Sequence, residues 1–300
     1  MTSPDSLAIP YETNKFFKKA YNRAIYSGML DHSVSIGKWY LSAGIASSYS
    51  ADFKSTIYGG IDLGYAITND IKLYASASTA TRLPTFTDLF FVNPVLQGNP
   101  LLTPEQSQTF EIGTKINQSQ WSLNADVYYR KGKNVIDWVK MTSTSAKYEA
   151  MNLSSVNALG GDITAEYRFK ELFIKKASVA YSYLTLDKAA VGFDSKYALD
   201  YLKHKVTVTV DHSIIGKLSA SWKLNYSERS GNYDANTVLG KSAIMTNYTP
   251  YTLLDGRLLW SDKKFDVFAD ANNMLNEKYA DYGGLTQPGI NFNVGVRLKL

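Results

Sequence analysis

Residues 78–113 read STATRLPTFTDLFFVNPVLQGNPLLTPEQSQTFEIG. Both ends of this stretch alternate, and alternation places successive side chains on opposite faces of an extended chain. Each end is therefore a strand. Between them Pro84 withholds a backbone donor that a strand ladder needs, and residues 82–105 form a long loop joining the two strands.

Working outward, a period of two recurs along nearly the whole chain. Trp121, Leu123, Ala125, Val127 and Tyr129 alternate with Ser122, Asn124, Asp126, Tyr128 and Arg130. Leu218, Ala220, Trp222, Leu224 and Tyr226 alternate in the same way with Lys217, Ser219, Ser221, Lys223 and Asn225. The last segment is the clearest, with Ile290, Phe292, Val294, Val296, Leu298 and Leu300 on one face and Asn291, Asn293, Gly295, Arg297 and Lys299 on the other. A soluble sandwich shows the same alternation with its apolar side turned to a core, so strand length has to separate the two. Segments 55–68, 106–117, 120–131, 203–212, 217–229 and 291–300 reach the ten or so residues a tilted strand needs to cross a bilayer. Soluble strands are typically about 5–6 residues.

Connections alternate between short and long. Tight turns fall at Gly37-Lys38, Asn69-Asp70, Asn117-Gln118, Lys170 to Phe173, Ile215-Gly216 and Asp262-Lys263, most carrying the Gly, Asn or Asp that such turns favour. Long loops fall at 82–105, 142–150, 188–202, 230–248 and 272–290. This asymmetry is that of outer-membrane barrels, with short periplasmic turns and longer extracellular loops. About thirteen strands result, the first near residues 20–36, and turn parity starts that strand on the long-loop side.

Composition agrees. Hydrophobic residues are 45 % of the 300, and 22 Tyr, 13 Phe and 5 Trp make aromatics 13 %, as expected where rings line both rims of a lipid-facing barrel. Mean hydropathy is −0.22, which does not indicate a helical membrane protein. There is no Cys, which fits the oxidising periplasm and many cytosolic proteins as well. A net charge of +5 spread along the chain reads as a solvated lumen and loops, with no nucleic-acid surface.

Two ordered blocks carry a family resemblance. The first is Arg82-Leu83-Pro84-Thr85, Asp88-Leu89-Phe90, Gly98-Asn99-Pro100, Pro104-Glu105 and Glu111-Ile112-Gly113; the second is Asn272-Asn273-Met274-Leu275-Asn276, Tyr279, Gly283 and Gln287-Pro288-Gly289. In order and spacing they resemble the barrel domain of TonB-dependent outer-membrane receptors, closest in tone to the cobalamin and siderophore receptors. The resemblance implies import of a bulky nutrient such as cobalamin or a ferric siderophore, energised through TonB, in a barrel of about 22 strands closed by a plug. The expectation is an all-β transmembrane antiparallel barrel. Residues 20–300 would be the C-terminal part of that larger barrel, and 1–19 an extracellular loop or irregular N-terminal segment.

The plug is expected to be absent from this sequence, and residues 1–30 contain no apolar run or small-residue cleavage site of a signal peptide. The implied setting is the outer membrane of a Gram-negative bacterium. Implied partners are membrane lipid, a bulky small-molecule ligand and the TonB complex, reached through the plug, with the receptor itself a monomer. Two alternatives stay open: a stand-alone barrel of about 12 or 14 strands acting as a porin or lipid hydrolase, or a soluble β-sandwich binding module.

Covalent chemistry is thinly provided for. The three His are His32, His204 and His212, and the last two stand roughly 26 Å apart along one strand, too far for a shared metal. Asp31, Asp52 and Asp62 form no calcium-ligand run. Ser213 beside His212 is an adjacent nucleophile–base pair, which chance neighbourhood explains without a triad. No catalytic residue, cofactor or metal is expected. Gly59-Gly60 and Gly160-Gly161 interrupt strand patterns, as glycines do at a bend or a close backbone approach.

Arg82, at a strand end, is placed to pair with Asp88, Glu105 or Glu111 and brace the loop. Pro84, Gly98, Asn99, Pro100 and Gly113 belong to the same scaffold motif. Substrate recognition in the family resembles a cup of extracellular loops. That makes the loop aromatics and amides the candidate ligand contacts: Phe90, Phe91, Asn93 and Gln97 on one loop, Tyr233 and Asn236 on a second, and Tyr279, Tyr282 and Gln287 on a third.

Overall fold

The computed structural model describes residues 21–141, 147–170, 173–188, 193–196, 200–235 and 244–299. The N-terminal segment 1–19 and Asn236 lie outside them. Among the described residues thirteen long strands run in chain order: β1 Tyr26–Ile36, β2 Trp39–Ser50, β3 Lys54–Ala66, β4 Ile71–Arg82, β5 Glu105–Asn117, β6 Trp121–Met141 and β7 Tyr148–Arg168. They continue as β8 Ile174–Lys188, β9 Tyr201–Ile215, β10 Leu218–Ser230, β11 Tyr251–Ser261, β12 Phe265–Asn272 and β13 Asn291–Leu298. Each pairs antiparallel with its neighbours in sequence, and β1 and β13 stand at the two ends of the sheet, unpaired with each other.

Register makes the alternation into a wall. Trp39 opposes Tyr65 and Leu41 opposes Leu63, Ala75 opposes Ile112, and Ile112 opposes Val127. Further along, Val208 opposes Leu224, Leu258 opposes Ala269, and Val267 opposes Val296. One continuous face is thus apolar across all thirteen strands, and its members are exposed: Ile112 at 66 %, Val294 at 77 %. An apolar face this large, left uncovered, marks a membrane surface.

The opposite face carries the charge. Arg257 grips its cross-strand partner Asp270 with two bonds of 2.5 and 2.8 Å, and Lys176 lies between Glu166 and Asp211. Four rings on the sheet lie over a directly opposed glycine: Tyr74 over Gly113, Tyr128 over Gly160, Trp222 over Gly256 and Phe268 over Gly295. A Cβ at Gly113 would stand 2.5 Å from the Tyr74 ring, so the missing side chain is what admits the aromatic.

Rings gather at both ends of the apolar face. Trp39 packs on Tyr65 and Tyr167 on Phe169 near the short turns, while Tyr49, Tyr129, Tyr183 and Tyr226 lie toward the long loops, as at membrane interfaces. The 12 residues of β2, tilted by about 45°, cover about 28 Å, close to the apolar band of about 25 Å in outer-membrane barrels.

The six segments read as strands from the sequence each fall within or largely overlap an observed one, but the end assigned at residue 131 is ten residues early, since β6 runs on to Met141. The polar run Arg130 to Asn134 imitates a strand end. Pairing instead resumes with Val135 opposite Leu153, past Asn134 at φ 56°. The 21 residues of β6 and the 21 of β7 therefore project beyond the apolar band as a tall hairpin. Residues Leu96–Gln97 run beside β7 and Phe193–Ser195 beside β6.

A charge in the middle of the apolar face should be poorly tolerated. Ile112→Arg is expected to lower stability in lipid by about 2–4 kcal/mol, measured by denaturant unfolding, whereas Asn124→Ala on the opposite face should change it little. Equal effects would refute the assignment of faces.

Candidate functional site

Arg82 ends β4 directly opposite Glu105, which begins β5. Its Nε donates to Glu105 Oε2 at 2.7 Å and its Nη2 to Oε1 at 2.6 Å, while Nη1 reaches Asp88 at 3.4 Å. This fork-on-fork geometry is the strong form of the ion pair. Glu105 Oε1 also accepts the backbone N–H of Ile136 at 2.6 Å, so one carboxylate ties the root of the loop to the projecting hairpin. Glu111 lies further down β5, opposite Ser76 and Tyr128, beyond the reach of Arg82.

The loop has its own local order. Thr85 Oγ1 accepts the N–H of Asp88, and the Asp88 carboxylate accepts that of Thr85, forming a capping box on the short helix α1, Phe86–Phe90. A short helix thus stands inside the long loop 82–105 that the sequence predicts. Asn99 Oδ1 accepts the Leu101 N–H as an Asx turn does. Gly98 donates to the Phe91 carbonyl at 2.7 Å, and a Cβ there would lie 2.9 Å from the backbone of 89–91. Pro84 is buried and its carbonyl accepts from Arg23 at 2.7 Å. Pro100 is exposed.

Apolar burial fastens this unit to the hairpin. Leu89 and Leu102 from the loop meet Ile136, Trp138 and Ala150 from β6 and β7, with Phe90, Phe91, Leu96 and Tyr148 packed around them. Among the candidate contacts, Phe90 stacks on Tyr21 at 3.8 Å and Phe91 belongs to this cluster. Asn93 Oδ1 accepts the amides of Val95 and Leu96. Gln97 sits in the short strand beside β7, opposite Glu149. All four side chains are engaged within the loop unit.

A second assembly forms where three other long loops converge. Arg229 near the end of β10 is only 8 % exposed. It donates from Nη1 to Asp200 at 2.9 Å and from Nη2 to Asp281 at 2.6 Å, with its guanidinium 5.6 Å from the ring centres of both Tyr248 and Tyr282. The Tyr248 hydroxyl donates to the other oxygen of Asp200 at 2.6 Å and accepts the Gly284 N–H at 3.2 Å. Burial, and next the bond to Asp200, push this hydroxyl above the ordinary tyrosine range. The shift extends its range as a proton donor to Asp200 further above neutral pH.

Tyr233 lies 4.9 Å from Tyr248, so the structure joins two predicted residues, Tyr233 and Tyr282, around Arg229. Tyr279 packs 4.2 Å from Tyr251 and its carbonyl accepts the Gln287 N–H; the Gln287 side chain turns back to the Leu285 carbonyl. Arg229, Asp200 and Tyr248 escaped the sequence reading. The one available signal was positional: like Arg82, Arg229 is an arginine at the loop end of a long strand.

The Ser213–His212 neighbourhood is structural. His212 Nδ1 donates to the Ser213 carbonyl at 3.2 Å and Nε2 accepts the Trp222 indole N–H at 3.0 Å, so one neutral tautomer satisfies both bonds.

Glu105→Ala removes the acceptor of both Arg82 and the Ile136 amide, a local loss of about 1–3 kcal/mol. The expected outcome is rapid proteolysis within 83–104 while the barrel keeps its heat-modifiable gel mobility. Arg229→Met leaves Asp200 buried without its cation, a loss of about 3–5 kcal/mol, and Lys should not restore it because one ammonium cannot fork to two carboxylates. Hydrogen exchange around 200, 248 and 281 is the readout.

Comparison with known proteins matches this architecture. The sequence profile of the family described as TonB dependent receptor-like, beta-barrel, matches residues 2–274. The vitamin B12 transporter BtuB of Photobacterium profundum is 26 % identical over 224 residues, covering 72 % of this chain and 34 % of that protein. Among solved structures, the Pseudomonas aeruginosa ferric enterobactin receptor PfeA, as its Q482A mutant with enterobactin, superposes with a TM-score of 0.72 at 15 % identity, over 96 % of this chain and 47 % of that one. The copper transporter OprC gives 0.73 at 14 %, over 91 % and 47 %. The chain thus spans about a third of this curated relative and just under half of these solved receptors. With the profile matching most of its length, the chain belongs to the TonB-dependent receptor β-barrel family.

Proposed function

We propose that these residues form barrel wall and specificity loops of a monomeric receptor in the outer membrane of a Gram-negative bacterium, which imports a bulky nutrient of the cobalamin or ferric-siderophore class. Energy would come from TonB, acting through a plug domain outside residues 1–300. The observation that carries the reading is the loop rim on a lipid-facing sheet. There Arg229 lies against Tyr248 and Tyr282, from two loops distant in sequence, and Tyr233 packs on Tyr248. Rigid aromatics offer large contact area at small entropic cost, which suits a large, flat or ring-rich ligand. The transport step breaks no bond, and no side chain is needed as nucleophile or base. The vitamin B12 relative and the enterobactin-bound structural neighbour support the two ligand classes named.

Uptake of labelled cobalamin and of a ferric catecholate, in cells lacking their own receptors for both, tests this. One of the two should accumulate, and accumulation should cease without TonB. Tyr282→Ala, at an exposed position, is expected to raise the half-saturating concentration about tenfold, equivalent to about 1.4 kcal/mol. Uptake that persists unchanged without TonB would indicate a passive pore and refute the proposal.

A further inference from the structure

Above the apolar band the wall carries a feature that transport does not use. The β3–β4 ladder runs only from Gly60 opposite Ser78 to Ala66 opposite Lys72, so the upper parts of both strands separate. Thr79 clasps the last point of contact, accepting the Gly59 N–H at 3.0 Å. Beyond it opens a depression of 410 Å³ whose lining includes Thr79, Thr81, Gln106, Gln108, Lys131 and Lys133, with Ile57 at its edge.

Register places these groups in rows. Thr79 opposes Gln108, which opposes Lys131; Thr81 opposes Gln106, which opposes Lys133. The rows continue the apolar face, because the next row toward the membrane is Ala77, Phe110 and Tyr129, and the one after it Ala75, Ile112 and Val127. Both lysines are exposed, among the described residues neither forms an ion pair, and no carboxylate lines the depression. Their side chains leave the same face about 7 Å apart.

We propose that this depression holds the phosphate groups of an anionic lipid whose acyl chains lie on the apolar rows below. Two ammonium groups with neighbouring hydroxyl and amide donors recognise phosphate, and only an amphiphile uses the cationic rows and the apolar rows together. A free phosphate would gain the first and nothing from the second. The proposal rests on the membrane reading above.

The test is titration of the receptor, purified from membranes in detergent, with fluorescent lipid A bearing two phosphates. Lys131→Gln/Lys133→Gln should weaken binding about tenfold or more, and Lys131→Arg/Lys133→Arg should retain it. Dephosphorylated lipid A should bind the native protein as weakly as the intact lipid binds the glutamine variant, and binding should fall with salt. Equal affinity of native and glutamine variants, or indifference to the lipid phosphates, overturns the proposal; displacement by millimolar inorganic phosphate does so too, by assigning the site to free anions. Heat-modifiable mobility of each variant reports its fold. A protein that needs no detergent and lacks that mobility would remove the membrane reading together with this site.

Discussion

Hydrocarbon offers no hydrogen-bond partner to a backbone amide or carbonyl, so a strand that crosses it must be paired along its length. Across the apolar band the inner strands, β2 to β12, are paired on both sides, and the rest of the molecule follows from it. Side-chain direction has a period of two, and a slip of one residue would move an entire strand's apolar set to the wrong face. The register shifts of β9 lie at its ends, at Leu202/His204, Asp211/His212 and Ser213/Ile215. The body of the wall is held in one register, and one face stays apolar across all its strands.

Freed from that constraint above the membrane, the chain builds order by other means. Three arginines stand beside strand ends on the long-loop rim: Arg23, Arg82 and Arg229. Each joins segments far apart in sequence. Arg82 closes 23 residues between its own strand and the next, while Arg229 reaches 29 residues back to Asp200 and 52 forward to Asp281. Arg23 lies over the rings of Phe53 and Phe86 and donates to Pro84, 61 residues away. A planar fork with fixed donors suits these roles better than a flexible ammonium. Loops anchored in this way present aromatic surface with little left to order when a ligand arrives, which favours binding.

The two loop assemblies differed in how far they could be read. In the first, Arg82, Asp88 and Glu105 lie on one loop and its strand ends, and the short helix between them carries a capping box spelled out in sequence. The second is made of Asp200, Arg229, Tyr248 and Asp281, none of which stands in a recognisable motif. Phe90 and Phe91 show the converse. As exposed loop aromatics they read as ligand contacts, yet Leu89, Leu102 and Trp138 give them a small core to join, a core that exists only because β6 and β7 extend well past the point where their polar composition suggested an end.

What the sequence by itself determined is what depends on neighbours along the chain: the period of two, strands long enough to cross a bilayer, the alternation of short turns and long loops, and the apolar identity of one face. Antiparallel order followed as well, since successive strands joined by short connections pair with each other. Only the tertiary structure decided which loops meet, where β3 parts from β4, and which aromatics are buried and which stand free. Those outcomes depend on side chains brought together by cross-strand register and loop packing over tens of residues, and no local propensity encodes such distances.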